Sequence, residues 1–227
     1  MLELGDTRVV IDMGNGSTAN LQRLCGFDDI DAVIITHRHI DHYVDLVSSF
    51  YGLRERYLER GHRIPVHAAP EVAYAAKALL SRDSTLLFDE VYDTNEIVAG
   101  DQVDVGPLHF EFLHSIHPAP TLSVRCTWDG RTFVYSSDSA GGKPLLQAAR
   151  GADTFLCEAT WDQLDGFPEG IHLDGTLAGQ AARDAEVGRL LLTHVSPEAN
   201  RTRIAADAGA AFPGEVVLVD DLDTFDL

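Results

Sequence analysis

Directly after the apolar run Ala32 to Ile35 comes Thr36-His37-Arg38-His39-Ile40-Asp41-His42, in which four side chains within six positions can ligate a metal ion. Few local patterns constrain a chain more. A short apolar run reads as a buried strand, and a helical pattern opens at Asp41, so the backbone changes direction between the two. At such a turn, side chains two apart can converge on one point while the next pair faces another, and His39 and Asp41 need not share an ion. The chain has only ten histidines. Finding three of them with an aspartate in one stretch is improbable for an ordinary solvated surface. Imidazole and carboxylate suit Zn²⁺, with Mn²⁺ or Fe²⁺ as alternatives on an oxygen-richer site.

The remaining patterning describes the frame around this run. Apolar runs with polar or Gly-rich breaks predict strands at Arg8 to Asp12, Ala32 to Thr36, Pro65 to Ala68, Phe110 to His114, Ser123 to Trp128, Phe133 to Ser136, Thr154 to Glu158, Leu190 to Thr193 and Val216 to Val219. Helical signals fall at Ser17 to Leu24, Asp41 to Glu59, Glu71 to Leu80, Pro144 to Ala149 and Thr176 to Glu186. Strands and helices interleave at both ends and the middle is uninterrupted β, which predicts an α/β protein of two sheets packed face to face with helices outside. With 227 residues, 45% of them hydrophobic, and no repeat, linker or low-complexity stretch, a single domain over residues 1–227 is expected.

Composition narrows the partners. Only 17 residues are basic against 36 acidic, a net charge of -19, which opposes nonspecific binding to nucleic acid, a process driven by cations displacing counterions from phosphates. Arg54, Arg56, Arg60 and Arg63 fit a solvated helix face better than a basic pocket. Cys25, Cys126 and Cys157 are scattered and odd in number, so neither a disulfide framework nor a cysteine zinc knuckle is expected. The N-terminus lacks a basic and apolar leader and no apolar run approaches a membrane span. A cytoplasmic protein without membrane contact is expected.

The run His37, His39, Asp41, His42 resembles, at every position, the His-x-His-x-Asp-His hallmark of the metallo-β-lactamase superfamily, and the chain is most similar to its ribonuclease Z-like branch of phosphodiesterases. The resemblance covers nearly the whole chain. It implies the superfamily's αββα sandwich. It also implies a third histidine ahead of a Pro-containing turn and an Arg-bearing strand, matched by His117, Pro120 and Arg125, with His114 the rival that lacks the following Pro at that distance. An Asp after a strand is matched by Asp138 in Tyr135-Ser136-Ser137-Asp138-Ser139, and a closing strand-end histidine by His194. The resemblance implies that His37, His39 and His117 hold one divalent ion and Asp41, His42 and His194 another, with Asp138 and a hydroxide between them. Asp41 counts with the catalytic residues as well as the ligands. Asp12 matches a family element that supports the metal site from behind.

The ribonuclease Z-like branch assigns proton delivery to a Glu in a His-Glu-Ala-Thr run and to a later His. Glu158 and His172 match these, which makes His172 the proton donor to the leaving group and Glu158 its orienting partner. Cys157 and Asp174 depart from the pattern. His62, His67 and His109 match no family element and read as surface or strand histidines. Gly14 and Gly16 read as a tight turn, since the Lys and spacing of a phosphate-binding loop are missing. Family members begin with one or two strands ahead of the element matching Arg8 to Asp12. Here seven residues precede it, so either the natural start lies upstream or the first sheet has an exposed edge. The implied activity is hydrolysis of a small or cyclic phosphodiester. Lactone or other carboxyl ester hydrolysis is the alternative, and tRNA 3′-processing or a non-catalytic metal-binding role ranks lower. Substrate choice is expected to rest on Gly52 to Ile64 and Trp161 to Gly170, and a homodimer is a family expectation.

Overall fold

The computed structural model describes residues 1–61, 63–164, 166, 168 and 170–227, and the side chains of residues 56–58 and 60 lie outside the description. His62 and the side chains of Arg56 and Arg60 therefore fall outside it. By its internal contacts the chain divides into two units, Met1–Val98 with Asp104–Pro107, and Ala99–Val103 with Leu108–Leu227.

The first unit is built on a five-stranded sheet in chain order: β1 (Leu2–Leu4), β2 (Thr7–Ile11), β3 (Ala32–Ile35), β4 (Ile64–Ala68) and β5 (Tyr92–Glu96). β1 runs antiparallel to β2, and β2 through β5 are parallel. Every residue of β3 is buried, the signature of a central parallel strand covered on both faces. Helices α1 (Ser17–Leu24), α2 (Ile40–Arg60), α3 (Val72–Ala78) and α4 (Arg82–Val91) make the crossovers. The aromatic rings of Phe50, Phe88 and Tyr92 form the heart of this layer, with centroids 6.2 and 5.0 Å apart along the series. The buried Tyr92 hydroxyl donates to the Leu46 carbonyl at 2.8 Å and lies 2.9 Å from Ser49 Oγ. This polar handle makes an otherwise apolar burial tolerable, and desolvation pushes the phenol well above its usual range.

The second unit centres on a seven-stranded sheet of order β12-β11-β10-β9-β8-β7-β6, comprising β6 (Gln102–Val105), β7 (Leu108–Ser115), β8 (Thr121–Trp128), β9 (Arg131–Tyr135), β10 (Thr154–Glu158), β11 (Arg189–Thr193) and β12 (Glu215–Leu218). β7, β8 and β9 are antiparallel; β9 through β12 are parallel. The carboxyl ends of β9, β10 and β11 therefore lie side by side, the usual place for ligands in parallel sheets. Helices α5 (Gly142–Ala149), α6 (Gly175–Asp184) and α7 (Arg201–Ala211) complete the unit. Its core joins Phe155, Cys157, Leu190 and Leu192 of the strands to Leu145, Ala178, Ala182, Ile204 and Ala208 of the helices. α6 and α7 approach backbone to backbone: a Cβ on Gly175 would sit 2.2 Å from the Ile204 carbonyl oxygen.

All nine strands and five helices expected from the sequence are present, and the structure adds β1, β5, β6, α4 and α7. Each addition carries a weak signal for a physical reason. β5 reads Tyr-Asp-Thr-Asn-Glu and sits at a sheet edge, where polar residues are tolerated. α7 buries only Ile204 and Ala208, because its small residues meet the glycines of α6 and no wide apolar stripe is needed. Gly52 to Arg60, expected to be a substrate loop, is helical and belongs to α2. Among the described residues no helix is long and apolar enough to cross a membrane.

Candidate functional site

In the first unit, β3 ends at Ile35 and α2 begins at Ile40, so His37 and His39 occupy the connection and Asp41 and His42 the first helical turn. The ring of His37 is fully buried, 4.7 Å from that of His39 and 4.1 Å from that of His42 between centroids.

Their orientation is set by Asp12. Its carboxylate accepts the Thr36 backbone N–H at 2.8 Å and the Thr36 hydroxyl at 2.9 Å, and lies 2.7 Å from His42 Nδ1. With its own proton given to Asp12, the Thr36 hydroxyl is left to accept from His37 Nδ1, 3.2 Å away. Both rings thus turn Nδ1 toward the carboxylate hub, and His42 Nε2 faces the Asp41 carboxylate at 3.7 Å. Asp12 itself has φ 57°, left-handed backbone that a non-glycine residue adopts only where its surroundings impose it. Two backbone bonds impose it, Met13 N–H to the His42 carbonyl at 2.7 Å and Asp45 N–H to the Met13 carbonyl at 2.9 Å. Gly14 completes the clamp. The tight turn expected here is present, Ser17 N–H donating to the Gly14 carbonyl at 3.0 Å with Gly16 at φ 90° before α1, and Gly14 is needed for close approach as well, since a Cβ there would lie 2.0 Å from the Asp41 carbonyl oxygen.

In the second unit, Asp138 follows β9, His117 lies in the β7–β8 connection and His194 follows β11. Asp138 is 2% exposed and lies 3.5 Å from His117 Nε2 and 3.3 Å from His194 Nε2. His117 Nδ1 lies 3.1 Å from the Ile171 carbonyl and His194 Nδ1 2.9 Å from Thr160 Oγ1. Again Nδ1 is held and Nε2 is presented to a carboxylate. This is the arrangement in which imidazoles are set up as ligands by their outer partners, and imidazole nitrogen with carboxylate oxygen is a donor chemistry suited to divalent ions. Ser137 and His194 are left-handed, with φ of 53° and 57°.

His172 stands beside these residues, with atoms of Asp138, His172 and His194 all within 4.8 Å of one another. Its Nδ1 is 2.9 Å from Glu158 Oε1, and its ring meets Trp161 edge-on at 5.7 Å. Glu158 ends β10, has no exposed surface, and accepts from Ser139 N–H at 2.6 Å, the Thr160 hydroxyl at 2.6 Å and Leu173 N–H at 3.2 Å besides His172. Glu158 and His172, paired in the sequence reading, are thus in hydrogen-bond contact.

His114 is exposed on β7 and belongs to no potential metal cluster among the described residues. Arg125 caps a helix, its guanidinium donating to the Ala148 and Arg150 carbonyls at 2.9 and 3.0 Å. Asp174 is the N-cap of α6, accepting from Leu177 N–H at 2.8 Å. Cys157 is buried in the core, its thiol pushed well above its ordinary pKa by desolvation and the neighbouring Glu158. His67 and His109 are strand residues, on β4 and β7, and burial lowers the His67 pKa. Sequence reasoning gave no role to Thr36 and Thr160, although each carries a hydroxyl one or two residues from a charged or ligand-type side chain at a strand end, and that spacing is the available signal.

A family model described as the beta-lactamase superfamily domain matches residues 7–195. Protein ML1173 of Mycobacterium leprae is 32% identical over 96% of this chain and 78% of its own length. Ribonuclease Z of Methanopyrus kandleri is 26% identical over 98% of this chain and 88% of its own. The crystal structure of the metallo-beta-lactamase fold protein YhfI from Bacillus subtilis superposes with a TM-score of 0.84 at 25% identity, covering 96% of this chain and 87% of that one. The chain belongs to the beta-lactamase superfamily and has the metallo-beta-lactamase fold, with ribonuclease Z proteins among its homologues.

Proposed function

We propose that the chain is a metal-dependent phosphodiesterase acting on small or cyclic phosphodiesters, in which His37, His39, Asp41, His42, His117, Asp138 and His194 hold two divalent ions, Zn²⁺ foremost. The family model runs through both units and both ligand sets, which supports treating residues 1–227 as one hydrolase domain. When bound, such ions lower the pKa of water and neutralise charge building on the phosphoryl oxygens.

One observation carries the phosphodiester reading: a fully buried carboxylate, Glu158, 2.9 Å from His172 Nδ1. An alkoxide leaving phosphorus needs a proton, and a histidine near neutrality is suited to give it. Glu158 holds His172 with Nδ1–H toward the carboxylate, leaving Nε2 to deliver a proton to the leaving oxygen. Trp161 covers one edge of the ring and limits water there. The acidic surface favours a small substrate over a folded RNA. The free thiols of Cys25, Cys126 and Cys157 suit a reducing cytoplasm.

The test is metal content together with hydrolysis of bis(p-nitrophenyl) phosphate and of a lactone panel, for wild type, Asp138→Ala and His172→Ala. The expected result is close to two metals per chain, phosphodiester turnover lost in both variants, and metal retained in His172→Ala. Loss of metal in His172→Ala would make that residue a ligand in place of a proton donor. Lactone turnover alone would replace the substrate class, and failure to bind any metal after reconstitution would end the proposal.

A further inference from the structure

We infer that Thr160 is a positioning residue that fixes the tautomer and direction of His194, tying that proposed ligand to the same buried carboxylate that orients His172. The inference rests on the metal reading above and concerns residues of the second unit only.

Glu158 accepts from four donors, Ser139 N–H, Leu173 N–H, the Thr160 hydroxyl and His172 Nδ1. Each oxygen of this buried carboxylate already takes a backbone N–H, and toward the Thr160 hydroxyl it is the acceptor. The Thr160 hydroxyl has a single proton, and the 2.6 Å contact with Glu158 Oε2 consumes it. The 2.9 Å contact with His194 Nδ1 must then have the imidazole as donor and the hydroxyl oxygen as acceptor. His194 is thereby fixed as its Nδ1–H tautomer, and its Nε2, 3.3 Å from Asp138 Oδ1, keeps the lone pair a metal requires.

The backbone holds the pair in register. Ala159 N–H donates to the Thr193 carbonyl at 2.9 Å and Ser196 N–H to the Thr160 carbonyl at 3.0 Å, so sheet pairing continues past both strand ends and sets Thr160 beside His194. His194 needs this support because its φ is 57°, a strained value for a non-glycine residue. Glu158 consequently reaches three loops: through Ser139 the one carrying Asp138, through Thr160 the one carrying His194, and directly the one carrying His172.

The experiment compares Thr160→Val, Thr160→Ser and His194→Ala by competition for Zn²⁺ or Co²⁺ against a chromophoric chelator, alongside ¹⁵N NMR of the histidine ring nitrogens in the metal-free wild type. Thr160→Val keeps the shape and removes the hydroxyl, and is expected to weaken one metal equivalent about 10- to 100-fold. Thr160→Ser restores the hydroxyl and should return affinity to within about threefold, which a packing role would not predict. The wild-type spectrum should show His194 protonated at Nδ1, a readout that holds even should Thr160→Val fail to fold. Wild-type affinity in Thr160→Val with loss in His194→Ala would overturn the role of Thr160 alone, as would equal loss in Val and Ser variants or an Nε2–H tautomer. Wild-type affinity in His194→Ala would overturn the metal reading beneath it.

Discussion

The two units reach the same local solution with different chemistry around it. In the first, Asp12 holds a threonine that leads to His37 and directly holds His42; in the second, Glu158 holds a threonine that leads to His194 and directly holds His172. Each hub is one carboxylate, one threonine hydroxyl relaying a hydrogen bond, and two imidazoles turned to present Nε2. The difference lies in what the direct histidine is for. Asp12 serves two proposed ligands, whereas Glu158 serves one proposed ligand and one proposed proton donor. A fixed imidazole is therefore common to both, and only the neighbourhood of Nε2 decides between metal binding and proton transfer.

Burial separates the hubs further and sets the largest expected effect. The Glu158 side chain is 0% exposed and its carboxylate takes four donors, while that of Asp12 is 11% exposed. Removing a buried charged acceptor strands its donors at a cost of about 3–5 kcal/mol. Glu158→Ala is expected to lose that much stability in chemical denaturation and at least about 100-fold in turnover. Asp12→Ala should cost less stability, because the Asp12 carboxylate is already partly exposed to water, and should show its main defect in metal content. Equal stability losses would break the comparison.

A smaller effect tests the relay in the first unit. Thr36→Val removes the hydroxyl between Asp12 and His37 but leaves Asp12 bonded to His42 and to the residue-36 backbone. Metal affinity should fall about 10- to 100-fold, measured by chelator competition. Stability should change by only about 1 kcal/mol, the worth of one hydrogen bond. A fall in stability with metal affinity intact would show that the first hub supports the fold and leaves the ligands indifferent.

The fold and the ligand-type residues were legible because their signals are local. Alternating or continuous apolar runs mark β2, β3, β10 and β11, and the His-x-His-x-Asp-His run is contiguous. The pairing of Glu158 with His172 was legible through resemblance to a motif. The hubs were not legible as hubs. A threonine carries the same letter whether its hydroxyl meets water or completes a chain from a carboxylate to an imidazole, and Asp12 reaches Thr36 and His42 across 24 and 30 residues. The second role of Gly14 escaped for a related reason: sequence shows a turn glycine, and only the fold shows the Asp41 carbonyl where its Cβ would be. Edge strands such as β5 and the small-residue helix α7 escaped because partners at an edge or against glycine impose no strong pattern.

Gly14 also gives a smaller and more specific test. A Cβ at Gly14 would press on the Asp41 carbonyl oxygen at 2.0 Å, and one at Gly175 on the Ile204 carbonyl oxygen at 2.2 Å. Each overpacked site should cost about 1–3 kcal/mol. Gly14→Ala displaces the first turn of α2, which carries Asp41 and His42, so it should also lower metal occupancy. Gly175→Ala acts at the seam of α6 and α7 and should lower thermal stability with metal occupancy retained. The same occupancy in both variants would show that the clamp on α2 is not what places its ligands.

The smallest effect separates His172 from the helix that follows it. Asp174 is two residues away and accepts from Leu177 N–H as the N-cap of α6. It stands where the ribonuclease Z-like pattern is interrupted, so either capping or proton transfer has claim to it. Loss of an N-cap costs about 1 kcal/mol, and Asp174→Ala should show that loss in denaturant titration. Asp174→Asn, whose side-chain oxygen can cap equally well, should recover the stability. Phosphodiester turnover should stay within about threefold in both, because Glu158 alone among the described residues is seen bonded to His172 Nδ1. A large drop in turnover shared by Ala and Asn would mean that the charge at residue 174 acts on His172, and the second hub would then have two carboxylates where the first has one.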